Sequence, residues 1–349
     1  MTSISRRAFL GSASAATALL PAASVSDAAQ KPALRLTGAN YVRLMPLATG
    51  DVKPTDLDLT WIRGERNEML RRATSDPEVD GGESSMAQHI VRIDAGDRSL
   101  VAVPVFPLRN FTARDLYTRR GATLAPNKLS GRRLGIYSWA ASGAVWHRHL
   151  LRHLGNDVAS IRWVVGGADS SAPVPQVVPL PANAIATTGK SLSDLLLAGE
   201  IDAFFAPLPP KQYAPPTGPI VRLVADYRSI EQQYFAKTKC YPPQHAIVIR
   251  RAVWERDPSV GARLVSAFDA CDRAFHAQQR LYPYNSPWLI GDIEAAELTI
   301  GADYHAHGLE KNRHAVDTFC QGAFDDGLTK RRVTVDDFFA EFVTAARRS

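Results

Sequence analysis

Leu195-Leu196-Leu197-Ala198-Gly199-Glu200-Ile201-Asp202-Ala203-Phe204-Phe205 reads as a helix end, a turn and a strand. Ser191 stands where an N-cap is wanted, Leu192, Leu195 and Leu196 recur on one helical face, and Gly199 suits a helix C-terminus. A similar order occurs upstream. A short helix ends after Met69, an acidic turn follows, and Val79-Asp80-Gly81-Gly82 comes next. Each block is preceded by a strand–helix–strand pattern, over 34–62 in the first case and 134–165 in the second. Two units of the same grammar predict two α/β lobes rather than one long sheet.

Outward from these blocks the alternation continues. Apolar runs at 34–37, 57–62, 101–106, 134–137, 161–165, 201–205 and 220–224 predict strands with helical patterns between them. The expected architecture is α/β, each lobe a mostly parallel sheet flanked by helices. Lobe one is assigned 31–113 and lobe two 114–244. Ala246-Ile247-Val248-Ile249 predicts a strand returning to lobe one, which 245–349 then completes with helices near 257–281, 309–324 and 335–347. Two crossings, near 112–115 and 242–245, make a hinge with a cleft between the lobes. The proline-rich stretches 173–181 and 207–219 read as surface loops.

Composition narrows the function. The 349 residues carry 41 Lys and Arg against 35 Asp and Glu, a net charge of +6, with 45% hydrophobic and 22% charged residues. This is a globular balance, and the basic residues lack the clustering that a nucleic-acid face demands. Beyond residue 30 no run reaches the ~20 apolar positions of a membrane span. Three cysteines without C-x-x-C spacing exclude a disulfide scaffold and a zinc site. Cys271 and Cys320 fall on apolar helical stripes and read as core residues; a disulfide through Cys240 stays open.

Residues 1–28 read as an export signal, the only expected contact with a membrane. Ser5-Arg6-Arg7-Ala8-Phe9-Leu10-Gly11 has the twin-arginine pattern, an uncharged Ala- and Ser-rich run follows, and Ser26-Asp27-Ala28 offers small residues for cleavage after Ala28. Cleavage removes two positive charges and one negative, taking the net charge from +6 to +5. The expected destination is the periplasm.

In α/β folds, ligands settle where strands end and helices begin, because helix N-termini present free N–H groups. Asp80-Gly81-Gly82-Glu83-Ser84-Ser85-Met86 is expected to leave a lobe-one strand, with Ser84 and Ser85 at the helix start. Tyr137-Ser138-Trp139-Ala140-Ala141-Ser142-Gly143 does the same in lobe two. The two helix starts facing across the cleft would clamp an anion through Ser84, Ser85, Ser138 and Ser142. Arg109, at a strand end near the first crossing, and Arg43, at the first strand–helix turn, are candidate carboxylate ligands. Glu83 is a candidate acid or base, and His245 sits at the second crossing, where it can face the cleft. His147, His149 and His153 read as solvent-facing, and neither they nor His305 and His307 supply a metal set at useful spacing.

Over nearly everything after Lys31 the chain resembles the 4,5-dihydroxyphthalate decarboxylase family, a branch of the type-2 periplasmic-binding-protein fold. The likeness rests on Val103-Pro104-Val105-Phe106-Pro107 with Arg109 and Phe111, Leu129-Ser130-Gly131-Arg132-Arg133-Leu134-Gly135 and Arg162-Trp163-Val164-Val165-Gly166-Gly167. Pro243-x-His245, Gly308-Leu309-Glu310-Lys311-Asn312-Arg313-His314 and Gly327-Leu328-x-Lys330-Arg331-Arg332 follow in order. Tyr41-Val42-Arg43 departs from it, with an apolar residue where an acidic one is usual.

The resemblance implies two readings, neither needing a cofactor. One is an exported receptor that closes on a small anionic, aromatic or carboxylated ligand and feeds an ABC transporter permease, with Tyr41, Tyr137 and Trp139 available to stack on it. The other is a carboxy-lyase acting on a dihydroxylated aromatic dicarboxylate, with Arg43 and Arg109 holding carboxylate and His245 or Glu83 giving the proton. The export signal favours the receptor, since a phthalate-pathway enzyme is expected in the cytosol.

Overall fold

The computed structural model describes residues 31–348. The expected signal and its cleavage point lie outside them. The described chain forms β1 (Ala33–Ala39), β2 (Asp58–Gly64), β3 (Gly81–Ser85), β4 (Leu100–Val103), β5 (Leu116–Arg119) and β6 (Arg133–Ile136). β7 (Arg162–Val165), β8 (Ala184–Ala186), β9 (Ala203–Phe205), β10 (Ile220–Arg222) and β11 (His245–Arg250) follow. These strands make two mixed sheets, a five-stranded one in the order β2-β1-β3-β11-β4 and a six-stranded one in the order β10-β5-β9-β6-β7-β8. β2-β1-β3 and β9-β6-β7-β8 are parallel runs; β11 and β5 run antiparallel to their neighbours.

Every apolar run named above forms a strand, with ends displaced by a few residues. β3, β5 and β8 were not legible. The β3 sequence Gly-Gly-Glu-Ser-Ser has no apolar side chain, yet all five residues are buried at the middle of the first sheet. The segment expected to leave a strand is therefore the strand itself. Its glycines explain how: a Cβ on Gly81 would stand 2.1 Å from the Val248 carbonyl oxygen, and one on Gly82 2.3 Å from that of Thr37. The backbones of β1 and β11 close on β3 only because those Cβ atoms are missing.

The helix 192–197 starts at Ser191 with a full capping box to Asp194, as its sequence predicts. The late helices form as Val260–Leu281, Arg313–Asp325, Val335–Phe338 and Ala340–Ala346. One is placed differently from expectation. Arg313–Asp325 packs on helix Ser142–His153, which follows β6, rather than on the first sheet. Phe319 meets Trp146 at a centroid distance of 5.8 Å, and the buried Arg148 donates through Nε to Asp326 Oδ2 at 2.6 Å. Helices Tyr227–Thr238 and Leu289–Ile300 were also not read from the sequence.

The core follows from this packing. One buried cluster runs from Met86 and Ile90 through Val145 and Trp146 to Phe319 and Phe338; Leu36, Trp61, Ile247 and Phe268 centre another. Each fully buried Leu or Phe side chain contributes about 1.5–3 kcal/mol relative to exposure. Cys240, Cys271 and Cys320 are buried and free, so Cys240 makes no disulfide. No described helix is long and apolar enough to cross a membrane.

Candidate functional site

Alternation along β3 turns Glu83 and Ser85 to one face, and the β11 register sets His245 opposite Ser85. Glu83 is wholly buried there. Its Oε2 accepts from the Ala39 N–H at 2.8 Å; its Oε1 accepts from the Tyr41 hydroxyl at 2.7 Å and lies 2.5 Å from His245 Nδ1. Burial by itself would raise the Glu83 pKa, but the His245 ring, the Ala39 N–H and the Tyr41 hydroxyl outweigh it and hold the carboxyl below its usual range. Burial and the Glu83 charge push the Tyr41 hydroxyl the other way, well above its ordinary value. With Nδ1 engaged by Glu83, Nε2 is the His245 nitrogen left to meet a bound molecule.

Beside this triad a cavity of ≈ 90 Å³ opens where the two sheets approach, lined by Arg66, Arg109, Arg114, Asp115, Tyr137 and His147, with Gln244 from the second crossing. Tyr137 follows β6 and Arg66 follows β2, at strand C-terminal ends, while Arg114 and Asp115 lie just before β5 and His147 on helix Ser142–His153. Arg66 joins the two features: its guanidinium carbon lies 6.0 Å from the Tyr41 ring centroid. The Nε atoms of Arg66 and Arg109 and both ring nitrogens of His147 are buried without a hydrogen-bond partner. Arg109 is otherwise held by the Tyr241 carbonyl at 3.2 Å and by Asn312 Oδ1, and burial brings its pKa down to about 10. Burial, then the Asp115 charge, raises the Tyr137 hydroxyl.

Other candidates are used by the protein itself. Arg43 is buried against Asp272, its Nη1 donating to both carboxylate oxygens at 2.5 and 2.7 Å, while its Nη2 donates to the Pro107 carbonyl at 2.6 Å. Ser85 and Ser142 are brought together, Oγ to Oγ at 2.8 Å, and Ser142 Oγ accepts from the Ala87 N–H at 3.0 Å. The two helix starts therefore meet each other directly. Ser84 is buried opposite Ala246, and Ser138 is half-buried in the turn after β6. Trp139 is a core residue: its Nε1 donates to the Asp326 carbonyl at 3.2 Å, and Arg148 covers its ring at 4.1 Å.

The histidine reading needs correction. His147 is buried, not solvent-facing, and stacks on Phe205 at 4.1 Å. His149 is largely buried too, 2.9 Å from the Tyr234 hydroxyl. His147 packs between Phe205 and Tyr137, and His149 between Trp146 and Tyr234. His307 takes the Phe106 N–H at 3.0 Å and faces Asp272 at 3.1 Å. Among the described residues no group of three or more His, Cys, Asp or Glu is placed to hold a metal ion.

Sequence reasoning missed Arg66, Arg114, Asp115, His147 and Gln244. Arg66 carried a usable signal, since it follows a strand end just as Arg109 does. His147 carried none, because it is buried against Phe205 and Tyr137, partners the local sequence does not reveal.

No family model matches the chain. The 4,5-dihydroxyphthalate decarboxylase of Comamonas testosteroni is 28% identical over 318 residues, 88% of this chain and 96% of the relative. That of Pseudomonas putida is 33% identical over 184 residues, 51% of this chain and 71% of the relative. The chain belongs to the 4,5-dihydroxyphthalate decarboxylase family. Among solved structures, the periplasmic aliphatic sulphonate-binding protein SsuA of Escherichia coli superposes with a TM-score of 0.51 at 15% identity, covering 88% of this chain and 91% of that one. SsuA of Xanthomonas axonopodis pv. citri, bound to MOPS, gives 0.50 at 13% identity, covering 88% and 98%. At those identities the likeness speaks for the fold, a two-lobe periplasmic-binding-protein architecture with family members that carry an enzyme's name.

Proposed function

We propose that the protein is an exported, solute-binding-protein-like receptor for a small carboxylated, aromatic anion, held in the cavity between the two sheets. One observation carries this reading. Two buried guanidinium Nε atoms and a buried imidazole line a single cavity with no partner of their own. Such donors cost about 1–3 kcal/mol each while unpaired, and an oxyanion satisfies them together. The lobes of this reading are 31–113 with 245–349 and 114–244: the chain leaves the first sheet after β4 and re-enters it at β11. Closure of such lobes on a ligand, after export by the twin-arginine route and cleavage near Ala28, suits delivery to an ABC transporter permease. Arg109, Tyr137 and Arg66 hold the ligand. Arg43 and the Ser85–Ser142 contact shape the site from behind.

A second reading, a carboxy-lyase, is favoured by the Tyr41–Glu83–His245 arrangement and by the name its relatives carry. The para hydroxyl pushes electron density to the carboxylated ring carbon, which takes a proton from His245 Nε2; the bond from that carbon to carboxylate then breaks, its electron pair restores the aromatic ring, and carbon dioxide leaves. Glu83 holds Nδ1 and steadies the ring.

Thermal shift of the mature protein with phthalate, 4,5-dihydroxyphthalate and an alkanesulfonate tests the receptor. A true ligand at 100 times its Kd stabilises by about 2.7 kcal/mol, and Arg66→Gln removes the shift. No shift with any of the three overturns the anion site. Carbon dioxide release from 4,5-dihydroxyphthalate, abolished in His245→Asn, replaces the receptor by the lyase.

A further inference from the structure

His147 is an unusual wall for an anion site. It is 1% exposed, and neither ring nitrogen has a hydrogen-bond partner. Its Nε2 stands 3.8 Å from Asp115 Oδ2, beyond hydrogen-bond reach. Phe205 lies flat on one face, with ring planes 16° apart, and Tyr137 meets the ring edge-on at 5.9 Å.

The charged groups around it come from several elements. Asp115 precedes β5, and Arg148 is one residue on along the same helix. Arg66, Arg109 and Arg114 face the same cavity. Asp115 already takes Arg114 Nε and Asn110 Nδ2, both at 3.3 Å. Three guanidinium cations therefore line the cavity against one carboxylate, and the Glu231 carboxylate beyond it accepts from the Arg114 N–H at 3.3 Å. Another cation is unwelcome there, and burial drives the imidazole toward its neutral form against the pull of Asp115.

An entering oxyanion reverses that balance. The ring then lies between two negative charges, the Asp115 carboxylate 3.8 Å away and the ligand. A neutral imidazole balances neither of them; an imidazolium is attracted to both.

We propose that His147 takes up a proton as the anion enters, so that the cavity binds an oxyanion and a proton together. The proposal rests on the anion-site reading above. It separates that site from one built of permanent arginine charge alone. The proton comes from solvent, attaches to the free ring nitrogen, and leaves with the ligand.

Calorimetric titration of the mature protein with phthalate, in buffers of different ionisation enthalpy, counts the protons directly. Above about pH 6.5 phthalate stays a dianion, so uptake belongs to the protein. The expected result is uptake approaching one proton per phthalate, with affinity rising up to tenfold per unit fall in pH, the limit for one coupled proton. In His147→Gln the buffer dependence and the pH slope vanish while binding weakens. Asp115→Asn, which removes the carboxylate charge beside the ring, lowers the uptake. The wild-type measurement stands whether or not either variant folds. Phthalate binding without proton uptake overturns the proposal and leaves the anion site intact. Uptake undiminished in folded His147→Gln overturns the assignment to this residue. No binding of phthalate or 4,5-dihydroxyphthalate overturns both the site and the proposal.

Discussion

The Ser85 and Ser142 hydroxyls meet at 2.8 Å, joining the last residue of β3 to the first residue of the helix after β6. Ser142 also satisfies the Ala87 N–H at the start of helix Met86–Asp94. One hydroxyl thus serves the position an anion was expected to fill. Ser142→Ala leaves a buried N–H unpaired and is expected to cost about 1–3 kcal/mol. Urea unfolding measures it, and an unchanged midpoint would show that the contact holds nothing.

Arg43 is a structural residue in this arrangement. Its guanidinium neutralises Asp272, which also faces His307 at 3.1 Å, and it fastens the chain at Pro107 just before the first crossing. Arg43→Ala strands a buried carboxylate and should destabilise by roughly 3–5 kcal/mol. Arg43→Lys recovers only part, because a single ammonium cannot reach both Asp272 and the Pro107 carbonyl as Nη1 and Nη2 do together. Guanidinium chloride denaturation checks both, and a neutral Arg43→Ala would return the residue to the ligand-binding list.

Glu83 ties stability to pH. Its folded-state pKa lies below the ordinary 4.5, so its contribution is fully present above that value and is lost as pH falls through the lowered one. Glu83→Gln removes the titration. The stability gap between wild type and variant should be widest at neutral pH and should close on acidification. Urea midpoints between about pH 7 and about pH 3 follow the gap; a constant difference across that range contradicts the assignment.

Export can be read from mass alone. Periplasmic protein is expected to begin at Ala29. Changing Arg6 and Arg7 together to lysine should leave the full-length chain in the cytoplasm. Intact-mass measurement of both fractions decides it, and full-length protein in the periplasm would refute cleavage near Ala28.

Much of the fold was legible because strand and helix patterns are local. Ile247 and Val248 announce β11, and Ser191 with Asp194 announces a helix start, through residues within a few positions of each other. β3 was not legible, since its burial comes from glycines that let β1 and β11 approach, and a polar pentapeptide carries no apolar period. Of the site candidates, the structure brings Tyr41, Glu83 and His245 into contact and sets Arg109 and Tyr137 in the lining of one cavity, and none of these partnerships was legible in the sequence. Sequence spacing tells which residues reach a strand end. It does not tell which charges are already paired there.

The sequence by itself determined the alternation of α and β elements, the family and the short set of polar residues at strand ends, because each is written in local pattern and order. Only the tertiary structure decided which of those residues remain free. Arg43 finds Asp272 at a separation of 229 residues, and Glu83 finds His245 at 162. Such partnerships depend on how distant elements pack, and burial makes an unpaired charge too costly to leave alone. What packing leaves without a hydrogen-bond partner, the Nε atoms of Arg66 and Arg109 and the His147 ring nitrogens, is what a ligand can use.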